Sequence, residues 1–187
     1  MRIWMMASSA MLSLLAACAP TATRPPLTSS AHIDLPRFMG EWHVIGRIDY
    51  LGERGDVASE DVYRLNKNGD VATVYRYRKS FDASDKVKTL SSTGLVQADP
   101  SNAVWRIRFF GIFKADYLVL EVADDYSWAL IGQPSRKLAW IFGREAVMPD
   151  ALYSNLIEKM RGYGYDTSKI LRVAQIAQQV GQPGFHE

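Results

Sequence analysis

Cysteine, histidine and an excess of charge of either sign are all scarce in this chain. One Cys in 187 residues excludes an intramolecular disulfide framework. The three His (His32, His43 and His186) stand far apart and in no metal-ligand spacing, so the usual Cys/His zinc cluster is excluded as well. The 22 basic and 20 acidic side chains are interspersed and leave a formal charge of +2, without the strongly basic face of a nucleic-acid binder. Arg76, Tyr77, Arg78 and Lys79 interleave base and aromatic, and in this context they read as an outer strand face. There is no Gly-x-Ser-x-Gly elbow and no phosphate-cradling glycine loop. Asp124-Asp125 reads as a turn rather than an acid–base pair. No catalytic residue, metal or cofactor is therefore expected. The N-terminal apolar run, residues 3–17, is fifteen residues long, short of the ~20 that span a bilayer.

That run is nevertheless informative. Met1-Arg2 followed by uncharged, Met-, Leu- and Ala-rich sequence is the pattern of a secretory signal peptide, expected over 1–17. Leu15-Ala16-Ala17-Cys18 then resembles a bacterial lipobox, in which the Cys becomes the lipidated mature N-terminus. Each buried acyl methylene contributes about 0.8 kcal/mol, and two or more chains anchor stably. Ala19 rather than Asp after Cys18 implies, by that resemblance, the outer membrane, with the protein facing the periplasm. Removal of residues 1–17 leaves 170 residues with a formal charge of +1. Residues 18–32, with Pro20, Pro25 and Pro26 among Ser and Thr, are expected to be the lipidated N-terminus and a flexible tether. The folded body is expected over 33–175 and a polar tail over 176–187.

From Trp42 onward, short β-prone runs alternate with turn signals at intervals near ten residues. Strands are predicted over 42–48, 57–65, 71–78, 88–97, 104–110, 116–122, 126–131 and 138–142, which argues for a sandwich or barrel. Asn66-Lys67-Asn68-Gly69-Asp70 is a strong hairpin signal. Trp105, Ile107 and Phe109 share one face of their run while Arg106 and Arg108 share the other, as in an antiparallel sheet closed on a core. In 116–122 both faces are apolar, so one is expected to lie beneath a helix. That helix is predicted over 149–161, with Pro149 and Asp150 at its start, Gly162 at its end and Leu152, Leu156 and Met160 along one stripe. A ninth strand is expected over 169–173.

Eight strands, a helix and a last strand is the order of the lipocalins, and three local motifs resemble that family. Gly40-Glu41-Trp42 resembles its Gly-x-Trp signature, Asp124-Asp125-Tyr126 its turn between the sixth and seventh strands, and Trp140 to Arg144 the segment whose Arg covers the first-strand Trp. The resemblance spans about residues 35–173 and its tail is most like that of bacterial outer-membrane lipocalins and apolipoprotein D. His43 and Gly46 depart from the usual Tyr and Ala. The resemblance implies an all-β, eight-stranded antiparallel up-and-down barrel with one C-terminal helix packed outside and a short ninth strand. It implies structural roles for Gly40, Trp42, Asp124, Asp125, Tyr126 and Arg144.

An eight-stranded barrel holds one small ligand. The expected lining is Val44, Tyr75, Tyr77, Trp105, Ile107, Phe109, Tyr117, Val119 and Trp128. Such walls suit an acyl chain, so the expected partner is a fatty acid or lysophospholipid, stored or carried for membrane maintenance under stress. A homodimer is implied by relatives alone. Two other readings stay open at this point: an envelope protein-interaction module with a filled barrel, and an enzyme on a bound hydrophobic ligand such as an isoprenoid. The pocket-Cys chemistry of some lipocalins is closed, because Cys18 is taken by the anchor.

Overall fold

The computed structural model describes residues 25–185. The predicted signal peptide and Cys18 lie outside the described residues. Nine strands form a single antiparallel sheet: β1 (Gly40–Ile48), β2 (Val57–Leu65), β3 (Val71–Arg78), β4 (Lys88–Val96), β5 (Val104–Phe109), β6 (Phe113–Val122), β7 (Trp128–Gly132), β8 (Ala139–Gly143) and β9 (Ile170–Arg172). Consecutive strands pair from β2 to β8, and β1 closes the circle by pairing with both β8 and β2. The barrel is thus the predicted up-and-down eight-stranded one. Closure leaves no edge within the ring to template aggregation.

β1 is shared out along its length. Gly40 to His43 pair with β2, whereas Gly46 to Ile48 pair with β9, which takes the place that β2 vacates. A bulge between Val44 and Gly46 marks the handover. β2 bulges opposite, at Ala58, whose positive φ lets its N–H donate to the carbonyl of Ala174 (2.8 Å).

Helix α2 (Asp150–Gly162) packs outside the barrel, burying Leu156 and Met160 against Ile45, Leu118, Leu120, Leu130 and Ile141. Tyr117 and Val119 of β6 point inward while Leu118 and Leu120 lie under this outer layer. The two-faced apolarity of that strand has this cause. Arg172 of β9 donates to Asp150 Oδ1 (2.6 Å) and to the carbonyl of Met148 (2.6 Å), tying the start of α2 to the barrel.

Three elements differ from the expectation. A one-turn helix, α1 (Leu35–Phe38), precedes β1, with Asp34 Oδ1 accepting from the Arg37 N–H. Residues 25–32, expected to be free tether, run along the outside of β6: Ser29 Oγ donates to the carbonyl of Val119 (2.6 Å) and the Ser30 N–H to that of Leu120 (3.0 Å). The expected polar tail also packs. Gln179 Oε1 accepts from the Gln175 N–H (2.7 Å), and Phe185 lies against the Arg172 guanidinium (4.5 Å).

Candidate functional site: a cavity with an acidic interior

The barrel is plugged at one end. Phe38, Trp42, Tyr63, Trp105 and Phe142 fill it with rings whose centroids lie 5.1–6.3 Å apart. Arg144 closes this end from below, its guanidinium 3.7 Å from the Trp42 ring centroid. The same group donates to the carbonyls of Arg37, Met39 and Glu41 at 2.6–3.0 Å, and so ties α1 to β1. Gly40 holds φ +95°, and a Cβ there would stand 3.3 Å from Arg144 Nη1, so the turn needs glycine on two counts. In the β6–β7 turn, Asp125 Oδ1 accepts from the Ser127 N–H, and Tyr126 hydroxyl accepts from the Asp34 N–H (2.9 Å each). The Asp124 carbonyl accepts from Arg37 (2.9 Å). All six signature residues brace the closed end.

Above the plug a cavity of about 430 Å3 opens toward the loops that follow β1, β3, β5 and β7. Cavities of this order, roughly 300–1,000 Å3, are the usual size of small-molecule sites. Its walls are Tyr75, Tyr77, Leu90, Ile107, Phe109, Tyr117 and Trp140, with Tyr63 at the floor. A shallower depression of about 810 Å3 lies outside the closed end, between residues 30–37 and the β6–β7 turn. It is larger, but it is not enclosed by the sheet, and the barrel cavity is therefore the candidate site.

Of the expected lining, Tyr75, Tyr77, Ile107, Phe109 and Tyr117 come together around the cavity. Val44, Trp105 and Val119 face inward but are fully buried in the packed level below it, where they fill rather than line. Trp128 is a correction. The inward residues of β7 are Ala129 and Ile131, and the Trp128 ring packs outside in the α2 layer, with Lys159 Nζ 5.7 Å from it.

The polar interior was not expected. Asp61 and Glu53 both reach the cavity, and Asp56 is buried beside Tyr75. Glu53 descends from the β1–β2 loop and accepts from Tyr50 hydroxyl (2.8 Å) and Trp140 Nε1 (3.1 Å), with Arg47 Nε 3.7 Å away. Burial nevertheless pushes its carboxyl above the ordinary range, against the pull of Trp140 and Arg47. Asp56 accepts from Tyr75 hydroxyl (2.9 Å) and pairs with Lys79. Asp61 accepts from Tyr63 hydroxyl (3.2 Å), which in turn accepts from Tyr117 hydroxyl (2.9 Å). Burial first, then the charge of Glu53, raises Asp61 from 3.8 to about 8, only partly opposed by Tyr63. Thr73 Oγ1 adds a polar atom that has no partner among the described residues.

One signal in the sequence could have found this cluster, and one feature was hidden. Asp61 falls on the same alternate face of β2 as Tyr63 and Leu65, an acid on an apolar face. Arg47 is fully buried and donates to the Glu53 carbonyl (2.6 Å), yet strict alternation from Trp42 and Val44 places it outside. The bulge after Val44 turns it inward.

A closed eight-stranded meander, plugged at one end and hollow at the other, is a barrel with room for one small ligand. A family model described as a lipocalin-like domain matches residues 33–175, and the chain belongs to that family. Outer membrane lipoprotein Blc of Citrobacter freundii is 26% identical over 163 residues, covering 87% of this chain and 90% of that protein. Temperature-induced lipocalin-1 of Arabidopsis thaliana is 30% identical over 153 residues, covering 76% and 80% respectively. Among solved structures, insecticyanin from the tobacco hornworm Manduca sexta superposes with a TM-score of 0.61 at 17% identity, covering 80% of this chain and 84% of its own.

Proposed function

We propose that this lipocalin is held on the outer membrane by acylated Cys18, faces the periplasm, and stores or carries a single-chain lipid for membrane maintenance under stress. The observation that carries the proposal is the cavity left above the aromatic plug, walled by Leu90, Ile107, Phe109, Tyr75, Tyr77 and Trp140. Likeness to a protein named as an outer membrane lipoprotein supports the address. The binding step is partition: apolar chain leaves water for a preformed site, at about 25 cal/mol per Å2 buried. No bond need be made or broken.

Between a fatty acid and a lysophospholipid, the interior favours the second. A fatty-acid carboxylate brings a net negative charge into a site whose burial already works against ionised carboxyls at Asp61 and Glu53. A zwitterionic lysophospholipid head brings no net charge, and its ammonium and hydroxyl donors meet the carboxyl oxygens and Thr73 Oγ1. Competition tests both the carrier reading and this order. A fluorescent acyl probe should bind saturably to the chain and be displaced by lysophospholipid at lower concentration than by fatty acid of the same length. Absence of saturable binding refutes the carrier reading; the reverse order refutes the head-group argument.

A further inference from the structure

Large apolar side chains are exposed mainly around the mouth of the barrel. Leu51 (84% exposed) sits in the β1–β2 loop, Val87 in the β3–β4 loop, and Phe110 (75%), Ile112 (74%) and Phe113 at the tip of the β5–β6 hairpin. Exposed basic residues stand among them: Arg54, Lys86, Lys88, Lys114 and Lys137. Scattered exposed apolar residues are ordinary, but a cluster on one rim marks a surface that is covered in use.

The hairpin tip holds a second observation. Its two central residues, Phe110 and Gly111, take φ of +49° and +76°, and the Ile112 N–H donates to the Phe109 carbonyl (3.1 Å). A turn of this kind favours Asn-Gly, because the left-handed region is strained for a bulky side chain. Phenylalanine stands there against the local preference and projects into solvent. It gains nothing from the fold, so its use lies outside it.

The N-terminal segment fixes which surface covers the rim. The Pro25 carbonyl accepts from Arg136 Nη2 (3.0 Å) in the β7–β8 loop, at the mouth, and the chain then descends along β6 to Ile33 at the closed end. Cys18 precedes Pro25 by seven residues, a reach of at most about 25 Å. A bilayer that holds an acylated Cys18 is therefore within reach of the mouth rim.

We propose that the mouth rim docks on a phospholipid bilayer containing anionic lipid, with Leu51, Val87, Phe110, Ile112 and Phe113 entering the interface and the lysines between them meeting head groups. The cavity then opens against the lipid, and a single-chain lipid passes between bilayer and barrel without crossing water. This inference rests on the reading of Cys18 as the anchor for its orientation, while the exposed rim stands independently.

The test uses the chain from residue 18 onward carrying Cys18→Ser, which removes the acyl anchor and leaves no other thiol. It is mixed with vesicles of phosphatidylethanolamine and phosphatidylglycerol. A dye on Ile112→Cys should shift to the blue and be quenched by brominated lipid, whereas the same dye on Val147→Cys, exposed beyond the closed end, should not change. Phe110→Asn relieves the turn and so keeps the fold, yet it should weaken vesicle flotation about tenfold, the size expected for one buried aromatic ring. A dye at 112 that ignores the vesicles while the cavity still binds an acyl probe overturns the docking and leaves the carrier reading intact. Docking without probe binding has the opposite meaning. A lipid-free dimer that Phe110→Asn dissociates also overturns the proposal, because the rim is then covered by a second copy.

Discussion

Substitution of Asp61 by Asn should make the barrel more stable at alkaline pH and nearly unchanged at acid pH. In the unfolded chain the carboxyl titrates at its ordinary 3.8; in the fold it titrates at about 8, because burial and the Glu53 charge disfavour the ionised form. Below 3.8 it is protonated in both states and its contribution is fully present. As pH rises from there the unfolded state ionises first, and each pH unit removes about 1.4 kcal/mol of stability until the folded carboxyl also ionises near 8. The whole interval corresponds to roughly 6 kcal/mol. Cavity water reaches part of Asp61, and screening halves the figure to about 3 kcal/mol. Asparagine resembles the protonated acid in shape and cannot ionise. Urea unfolding of both proteins, followed by tryptophan fluorescence at pH 4 and pH 9, measures the difference. Carboxyls remote from Asp61 cancel in the comparison, and the relief of its repulsion with Glu53 adds in the same direction. Stability curves that run parallel from pH 4 to pH 9 refute the assignment of Asp61 as a carboxyl held protonated in the cavity.

Other consequences separate plug from cavity. Trp105→Ala should cost about 3–5 kcal/mol, read by thermal unfolding, because Trp105 is fully buried in the plug. Phe109→Asp should instead abolish acyl-probe binding with a small effect on stability, since Phe109 borders the cavity near its mouth. Arg144→Ala should lower stability by about 2 kcal/mol, as carbonyls of α1 and β1 lose their donor and Trp42 loses its cover. Gly132→Ala should destabilise by about 1–3 kcal/mol in calorimetry, because its Cβ would run into the Tyr165 hydroxyl and Leu120 beneath α2.

Barrel and helix were legible from the sequence because each strand and turn is a local event. The Asn68-Gly69 turn, alternation in β5 and the Leu152/Leu156/Met160 stripe all survive in the structure. The closed end was legible for the same reason that a motif is recognisable: Gly40, Trp42 and Arg144 have one geometry that works. Depth along the barrel was not. Alternation says that Val44, Trp105 and Val119 face inward, but only the packing of Phe38 from α1 decides that their level is filled. Trp128 failed because the strand starts only there: Tyr126 faces inward from the preceding turn, at φ +61°, and strand alternation does not run through from it to Trp128. The acids were hidden differently. Glu53 and Asp56 belong to a Gly-Glu-Arg-Gly-Asp loop that looks solvated, and they turn inward only because Arg47, reversed by the β1 bulge, bonds their carbonyls.

Lipid content of the chain purified from a bacterial envelope tests the central claim most directly. Denaturing extraction and mass spectrometry should release about one single-chain lipid per barrel, the capacity of an eight-stranded interior. Lysophospholipid should exceed free fatty acid. Purified protein that releases no lipid, and that binds no acyl probe afterwards, would contradict the account.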